Sequence, residues 1–227
     1  HSILKPWTKK NKKLIYESRV SSGKLLFSTC EKLNVRPKTF VSASAIGIYG
    51  LHSTGHKKEN SKIGNDWIAK LISEWEIASK QFEKLGSRVI QMRISALLSK
   101  DSGLLKYNLL SMKYGIGFIL GDKDSPINWI HIQDAANFIE ETIRNEKYKG
   151  TYNLSNEKTV THKKFLEVIK KNMFPYAMII NIPISLIKIF LGKRILILNS
   201  KITVDTTKLK ETGFLIKYPK IDEIINK

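Results

Sequence analysis

The stretch FVSASAIGIYG, residues 40–50, decides how the rest of the chain is read. It opens as a strand, on Phe40 and Val41, then turns to small side chains at Ser42, Ala43, Ser44 and Ala45. It closes on Tyr49 and Gly50. Aromatic and β-branched residues fit a pleated, half-buried surface, and the switch to small residues marks where the strand ends. The chemistry leaves two explanations open. In one, Ser44 packs in a tight turn and Tyr49 caps the sheet. In the other, a serine hydroxyl meets a substrate oxygen and a tyrosine passes a proton, which requires a cation near the phenol.

The flanking pattern supplies the context. TKKNKKLIYESRVSSGKLLFSTCEKLN reads as one helix, with Leu14, Ile15, Leu25, Leu26, Cys30 and Leu33 near helical spacing. Thr8 is its expected N-cap and Asn34 its left-handed stop. LHSTGHKKENSKIG reads as a long polar loop. Trp67, Leu71, Trp75, Ala78 and Phe82 form the stripe of a second helix, ended by Gly86. RVIQMRISALL is a strand apolar enough to be buried on both faces. A helix in GLLKYNLLSMKYG, a strand in INWIHI, and a helix in QDAANFIEETIRN with Asp134 in its first turn follow. Then come the strand GTYNLS and the helix THKKFLEVIKKN, capped by Thr161. The tail holds MIINIP, ISLIKIFLG, DTTKLKETGF and PKIDEIIN. Alternating helices and strands predict a mostly parallel sheet covered by helices, an α/β fold whose ligands sit outside the carboxyl ends of strands. The loop from Ser44 to Tyr49 lies at such an end.

Composition narrows the function classes. The chain has 227 residues, 42% of them hydrophobic, enough for one substantial core or a core with a small satellite. Cys30 is the only cysteine, which points to a reducing compartment and a cytoplasmic protein without disulfides. The most apolar run, YAMIINIPISLIKIFLGKRILIL, is interrupted by Asn181, Pro183 and Lys188 before it reaches the roughly 20 residues a bilayer needs. The net charge of +19 raises the question of nucleic acid. The lysines are scattered, however, and Arg19, Arg36, Arg88, Arg93, Arg144 and Arg194 are the only arginines. Bidentate contacts to phosphates and bases favour arginine, so a solvated lysine surface is the expectation.

Three other chemistries are weak in this sequence. GIGFILG, with Gly115, Gly117 and Gly121, follows a helix where a dinucleotide loop must follow a strand, and reads as a connection in a flexible region. His52 and His56 are four residues apart, but no helical pattern holds them, so no metal is expected. SASAIG lacks the glycines of a serine-hydrolase elbow.

The motifs PWT…K…SR, SASAIGIYG, WIAKLISEWE, RVIQMRISALLSKDSG, NWIHIQDAA, GTYNLS and KLKETGF occur in an order seen elsewhere. The chain resembles an epimerase-like family of atypical short-chain dehydrogenases/reductases over nearly its whole length. Members are commonly labelled nucleoside-diphosphate-sugar epimerases. The resemblance implies a Rossmann-type doubly wound parallel sheet, incomplete at its N-terminal end, with a small C-terminal α/β substrate region. Residues 1–155 would be the remainder of the dinucleotide-binding domain, with 97–131 contributing to the substrate side and 156–227 forming the cap.

The implied cofactor is NADP or NAD, and the implied partner is a nucleotide-sugar-like or other small polar substrate, with no oligomeric state specified. The alternative is a non-catalytic NAD(P)-binding protein, a sensor or interaction partner. The Gly-rich turn that holds the pyrophosphate in relatives is not in the sequence, and about 60–70 residues, two βαβ-sized units, are expected ahead of His1. The superfamily's Tyr-x-x-x-Lys pair is also missing. Asp66 and Lys70 hold its spacing, with aspartate in the tyrosine's place. By resemblance Ser44 is the active-site serine and Tyr49 a catalytic candidate. Ser42, Arg93 and Ser95 lie on the cofactor side. Trp129 and His131 face either substrate or core.

Overall fold

The computed structural model describes residues 1–198 and 200–225. The chain begins with helix α1 (Lys9–Tyr16), a π-helical turn (Glu17–Ser21) and helix α2 (Ser22–Lys32). Thr8 caps α1, its hydroxyl accepting from the Asn11 amide. Asn34 takes the left-handed stop, at φ 53°. The expected single helix is therefore divided by a π turn, which shifts the phase of the apolar stripe. Ile15 and Val20 are buried, whereas Leu25, Leu26 and Leu33 are exposed.

The central sheet is β1 (Thr39–Ala45), β3 (Arg88–Ile94) and β8 (Gly150–Leu154), all parallel, with β3 in the middle. Its register sets Ser44 beside Arg93 and Arg93 beside Asn153. Between β1 and β3 come a short 3₁₀ turn (Ile46–Tyr49), strand β2 (Thr54–Lys57) and helix α3 (Trp67–Lys80). Asp66 caps α3, accepting from the Ile68 and Ala69 amides. Its other oxygen accepts from Leu51 at 2.7 Å, tying the turn after β1 to the start of α3.

Past β3 the chain runs through β4 (Ala96–Leu98), α4 (Gly103–Lys113), β5 (Ile116–Leu120), β6 (Pro126–Ile127), β7 (Trp129–His131) and α5 (Ile132–Arg144). After β8 follow β9 (Val160–Thr161), α6 (His162–Met173), β10 (Met178–Ile182), α7 (Ile184–Leu191), α8 (Ile195–Leu198), β11 (Lys201–Val204), α9 (Thr207–Glu211) and α10 (Ile221–Ile225). β4 pairs with β7, β5 with β10 and β2 with β11, all parallel, and β6 pairs antiparallel with β9.

Two local expectations are corrected. Within GIGFILG, residues 116–120 form β5 rather than a flexible connection. Gly117 and Ile119 turn inward while Ile116 and Phe118 stay partly exposed, the alternation of a one-sided strand. The polar stretch 51–64 is not all loop, because β2 lies in it. His56 on β2 is not a free loop histidine. Its ring bonds Thr203 at 2.9 Å and Asp205 at 3.0 Å. Thr161 caps α6 as expected. Asp134 is fully buried and accepts the amides of Lys217 and Tyr218, fastening the C-terminal segment to α5. No helix among the described residues is long and apolar enough to cross a membrane.

Candidate active site

A cavity of about 490 Å³ opens at the carboxyl ends of β1 and β3. Residues 43–47 from the end of β1 and its turn, and 94–97 from the end of β3 and β4, form part of its wall. Leu71, Ile72 and Trp75 of α3 form another, and Leu196, Ile197 and Ile202 close it from the C-terminal side. Most residues on the sheet wall are small, and Ala43, Ser44, Ala45, Gly47, Ser95 and Ala96 leave room above the strand ends.

Ser44 lines this cavity and is 3% exposed. Its hydroxyl donates to Glu76 Oε1 at 2.6 Å. Arg93, on the neighbouring strand, grips the same carboxylate with two bonds, Nε to Oε1 at 2.8 Å and Nη2 to Oε2 at 2.9 Å. Both partners are largely buried, at 6% and 12% side-chain exposure, so the pair is shielded from solvent. Burial by itself pulls the Arg93 pKa down, but the hydrogen bonds and charge of Glu76 outweigh it and leave the guanidinium above its ordinary value. The third guanidinium nitrogen donates to the Glu59 carbonyl at 2.7 Å and to the Tyr49 hydroxyl at 3.2 Å.

Tyr49 does not line the cavity. It is 1% exposed, and its hydroxyl donates to Asn153 Oδ1 at 2.6 Å. Burial pushes its pKa up, only partly offset by Arg93 and Asn153. Asn153 is fixed in turn: its amide nitrogen donates to the carbonyls of Lys57 and Asp205, and its backbone N–H donates to Glu59. The structure thus brings Ser44, Arg93 and Tyr49 into one network but gives the cavity only the first.

Ser95 lines the cavity, its hydroxyl turned to the Leu154 carbonyl at 3.1 Å. The Ser42 hydroxyl donates to the Ala43 carbonyl and stays outside the lining. Trp129 is 1% exposed within the apolar core, its indole donating to the Lys158 carbonyl. His131 accepts from the Gln133 amide as the N-cap of α5 and packs its ring 4.1 Å from that of Tyr218. Neither residue reaches the cavity. Among the described residues no cluster of metal-ligating side chains occurs.

Glu76, Glu59 and Asn153 were not singled out from sequence. A signal existed for Glu76: it shares the inward face of α3 with Ile72 and Ser79, both buried, at i−4 and i+3 spacing. A carboxylate on a core-facing stripe requires a partner. For Asn153 no such signal is present, because its role depends on strands far apart in sequence.

No family model matches the chain. Among curated proteins it is 29% identical over 228 residues to an epimerase family protein of Staphylococcus saprophyticus, covering 96% of this chain and 73% of that one. An epimerase family protein of Staphylococcus haemolyticus is 33% identical over 156 residues, 68% of this chain but 52% of the relative, so that match spans about half of the relative's length. Among solved structures, the human epimerase family protein crystallised with NADPH superposes with a TM-score of 0.88 at 21% identity, over 100% of this chain and 78% of that one. The chain is thus similar to epimerase family proteins along nearly its whole length and shares the Rossmann-type fold of the human one.

Proposed function

We propose that the protein acts as a nicotinamide-dependent epimerase or oxidoreductase and that its small-molecule substrate reacts in the cavity at the ends of β1 and β3. The observation that carries this reading is Ser44, at the end of a parallel strand, on the cavity wall and braced from behind by Glu76. Ligands of open α/β sheets bind in this position. The human relative crystallised with NADPH supports NADP over NAD as the cofactor. Ala43, Ala45 and Gly47 give the cavity wall a small-residue, apolar stretch that suits the nicotinamide end. No strand, Gly-rich turn and helix of the kind that holds a pyrophosphate occurs among the described residues. The residues present are therefore assigned to the nicotinamide end alone.

The nicotinamide, when bound, gives or takes a hydride. The chain's own residues handle the proton. Because the Ser44 hydroxyl points its hydrogen at Glu76, its lone pairs are left to accept from a substrate hydroxyl. Glu76 is the next acceptor beyond it, and the two-pronged hold of Arg93 keeps that carboxylate in one orientation. Tyr49 and Asn153 position Arg93. In this reading Tyr49 is a positioning residue, since its hydroxyl is sealed and its pKa raised.

The test follows NADPH absorbance with a panel of carbonyl compounds. Ser44→Ala is expected to lower turnover about 10²-fold, the size of one transition-state hydrogen bond, with cofactor affinity unchanged. Full activity in that variant overturns the assignment. A second reading, a non-catalytic NAD(P)-binding sensor or interaction protein, draws on Asp66. By the resemblance it stands where the wider superfamily's Tyr-x-x-x-Lys pair has its tyrosine, and it is occupied in capping α3. NADPH binding without turnover of any substrate favours that reading.

A further inference from the structure

The cavity's lining is a poor match for a nucleotide sugar. Its walls are mainly isoleucine, leucine, alanine and tryptophan, and the hydroxyl hydrogens of Ser44 and Ser95 on them are already bonded within the protein. Ser44 donates to Glu76 and Ser95 to the Leu154 carbonyl. The Asn128 side chain donates to the Ile202 carbonyl and accepts from the Val204 amide. A ligand carrying a diphosphate and several hydroxyls would leave most of them without partners here, which is costly once they are out of water.

One charged group on the lining stands apart. Arg19 is half-buried, with its guanidinium 5.7 Å from the centre of the Trp75 ring. One of its nitrogens donates to the carbonyls of His1 and Ile15 and to the Ser18 hydroxyl, all neutral acceptors. Among the described residues no carboxylate lies within ion-pair reach of it, although Arg93, Arg144 and several lysines of this chain have one. Burial without a counter-charge pulls its pKa below the ordinary arginine value. A partly desolvated cation facing an apolar cavity is stabilised by an anion that arrives with the ligand.

We infer that the cavity receives an amphipathic anion: an apolar body against the isoleucine and leucine walls, an acidic head at Arg19, and an oxygen within reach of Ser44. This rests on the reading of the cavity as the substrate site. It narrows the substrate from nucleotide-sugar-like to an apolar acid. The volume of about 490 Å³ falls within the roughly 300–1,000 Å³ typical of small-molecule pockets.

Calorimetric titration of the protein with hexanoate, octanoate, decanoate, the ten-carbon methyl ketone and UDP-glucose tests it. Each added methylene is expected to tighten binding about fourfold, the transfer free energy of a buried methylene. Decanoate should bind about tenfold tighter than the ketone, as a charge-assisted hydrogen bond allows. Arg19→Gln should abolish that head-group preference and keep the chain-length slope. Leu97→Glu, at a cavity residue exposed enough to tolerate the change, should flatten the slope. UDP-glucose binding as tightly as decanoate, or a head-group preference that survives Arg19→Gln, overturns the inference. The titration needs neither cofactor nor turnover. Apolar acids that bind but never react with NADPH would therefore count against the proposed redox function alone, and turnover of a UDP-sugar against this inference alone.

Discussion

Ser44, Glu76, Arg93 and Tyr49 form a chain of contacts in which only the first touches the cavity, and each link has its own consequence. Glu76→Gln removes the charge that compensates a buried guanidinium. Breaking a buried pair on one side costs about 3–5 kcal/mol, and urea denaturation should show a loss of that order. Tyr49→Phe leaves Asn153 Oδ1 without its donor at 2.6 Å and Arg93 without one acceptor. It should cost about 1–3 kcal/mol in the same measurement. Its effect on turnover should be smaller than that of Ser44→Ala, because the phenol positions other groups and does not meet the substrate. A loss of turnover larger than that of Ser44→Ala, in a variant that stays folded, would return Tyr49 to the role of proton carrier.

The element that aims this network is α3, together with the turn after β1. Asp66 caps the helix and holds the Leu51 amide, and Gly64 lies against Gly50. A Cβ at Gly64 would stand 2.5 Å from the Gly50 Cα and 2.9 Å from the Tyr49 carbonyl oxygen, too close for any carbon. Gly50 itself sits at φ 96°, so the turn has little freedom to yield. Gly64→Ala should therefore displace the turn and destabilise the fold by about 1–3 kcal/mol, the usual cost of overpacking. Ligand binding should weaken with it, because Gly47 and Gly50 line the cavity. Calorimetry on the folded variant, compared with wild type, measures both effects. α2 shows the limit of pattern reading at this scale. Its leucines keep helical spacing, but the π turn before it rotates Leu25 and Leu26 into solvent.

Across the whole molecule, β2 and β11 join segments about 150 residues apart, and Asp205 is their clasp. Its carboxylate accepts from the Thr207 amide at 2.7 Å and bonds His56 at 3.0 Å. The Thr207 hydrogen bonds, assisted by His56, hold its pKa down to about 2. The folded pKa is depressed, so the associated stability is present above the ordinary aspartate value of roughly 3.9 and is lost as pH falls from there toward about 2. Asp205→Asn should flatten the decline of stability in that window and leave the remaining acid dependence in place. Urea midpoints measured across the window decide it. An unchanged slope would mean that other carboxylates carry the acid transition.

The sequence by itself determined the elements whose signals are local. The stripe of Trp67, Leu71, Trp75 and Ala78 (Phe82 falls in the 3₁₀ turn, Gln81–Leu85, after α3), the caps at Thr8 and Thr161, the stop at Asn34 and the serine-rich end of β1 each follow from spacing or side-chain chemistry within a few residues. The parallel α/β class followed from their order. Tertiary structure alone decided which polar groups meet. Asn153 lies 104 residues from the tyrosine whose hydroxyl it accepts, and Glu76 reaches Ser44 only because α3 packs across the end of β1. It also decided that Tyr49 points away from the cavity while Arg19, unremarkable as a helix arginine, lines it. Local propensity acts over a turn or a strand. The direction of a side chain and the identity of its partner depend on register between strands and on packing between layers, and no short stretch of sequence encodes those.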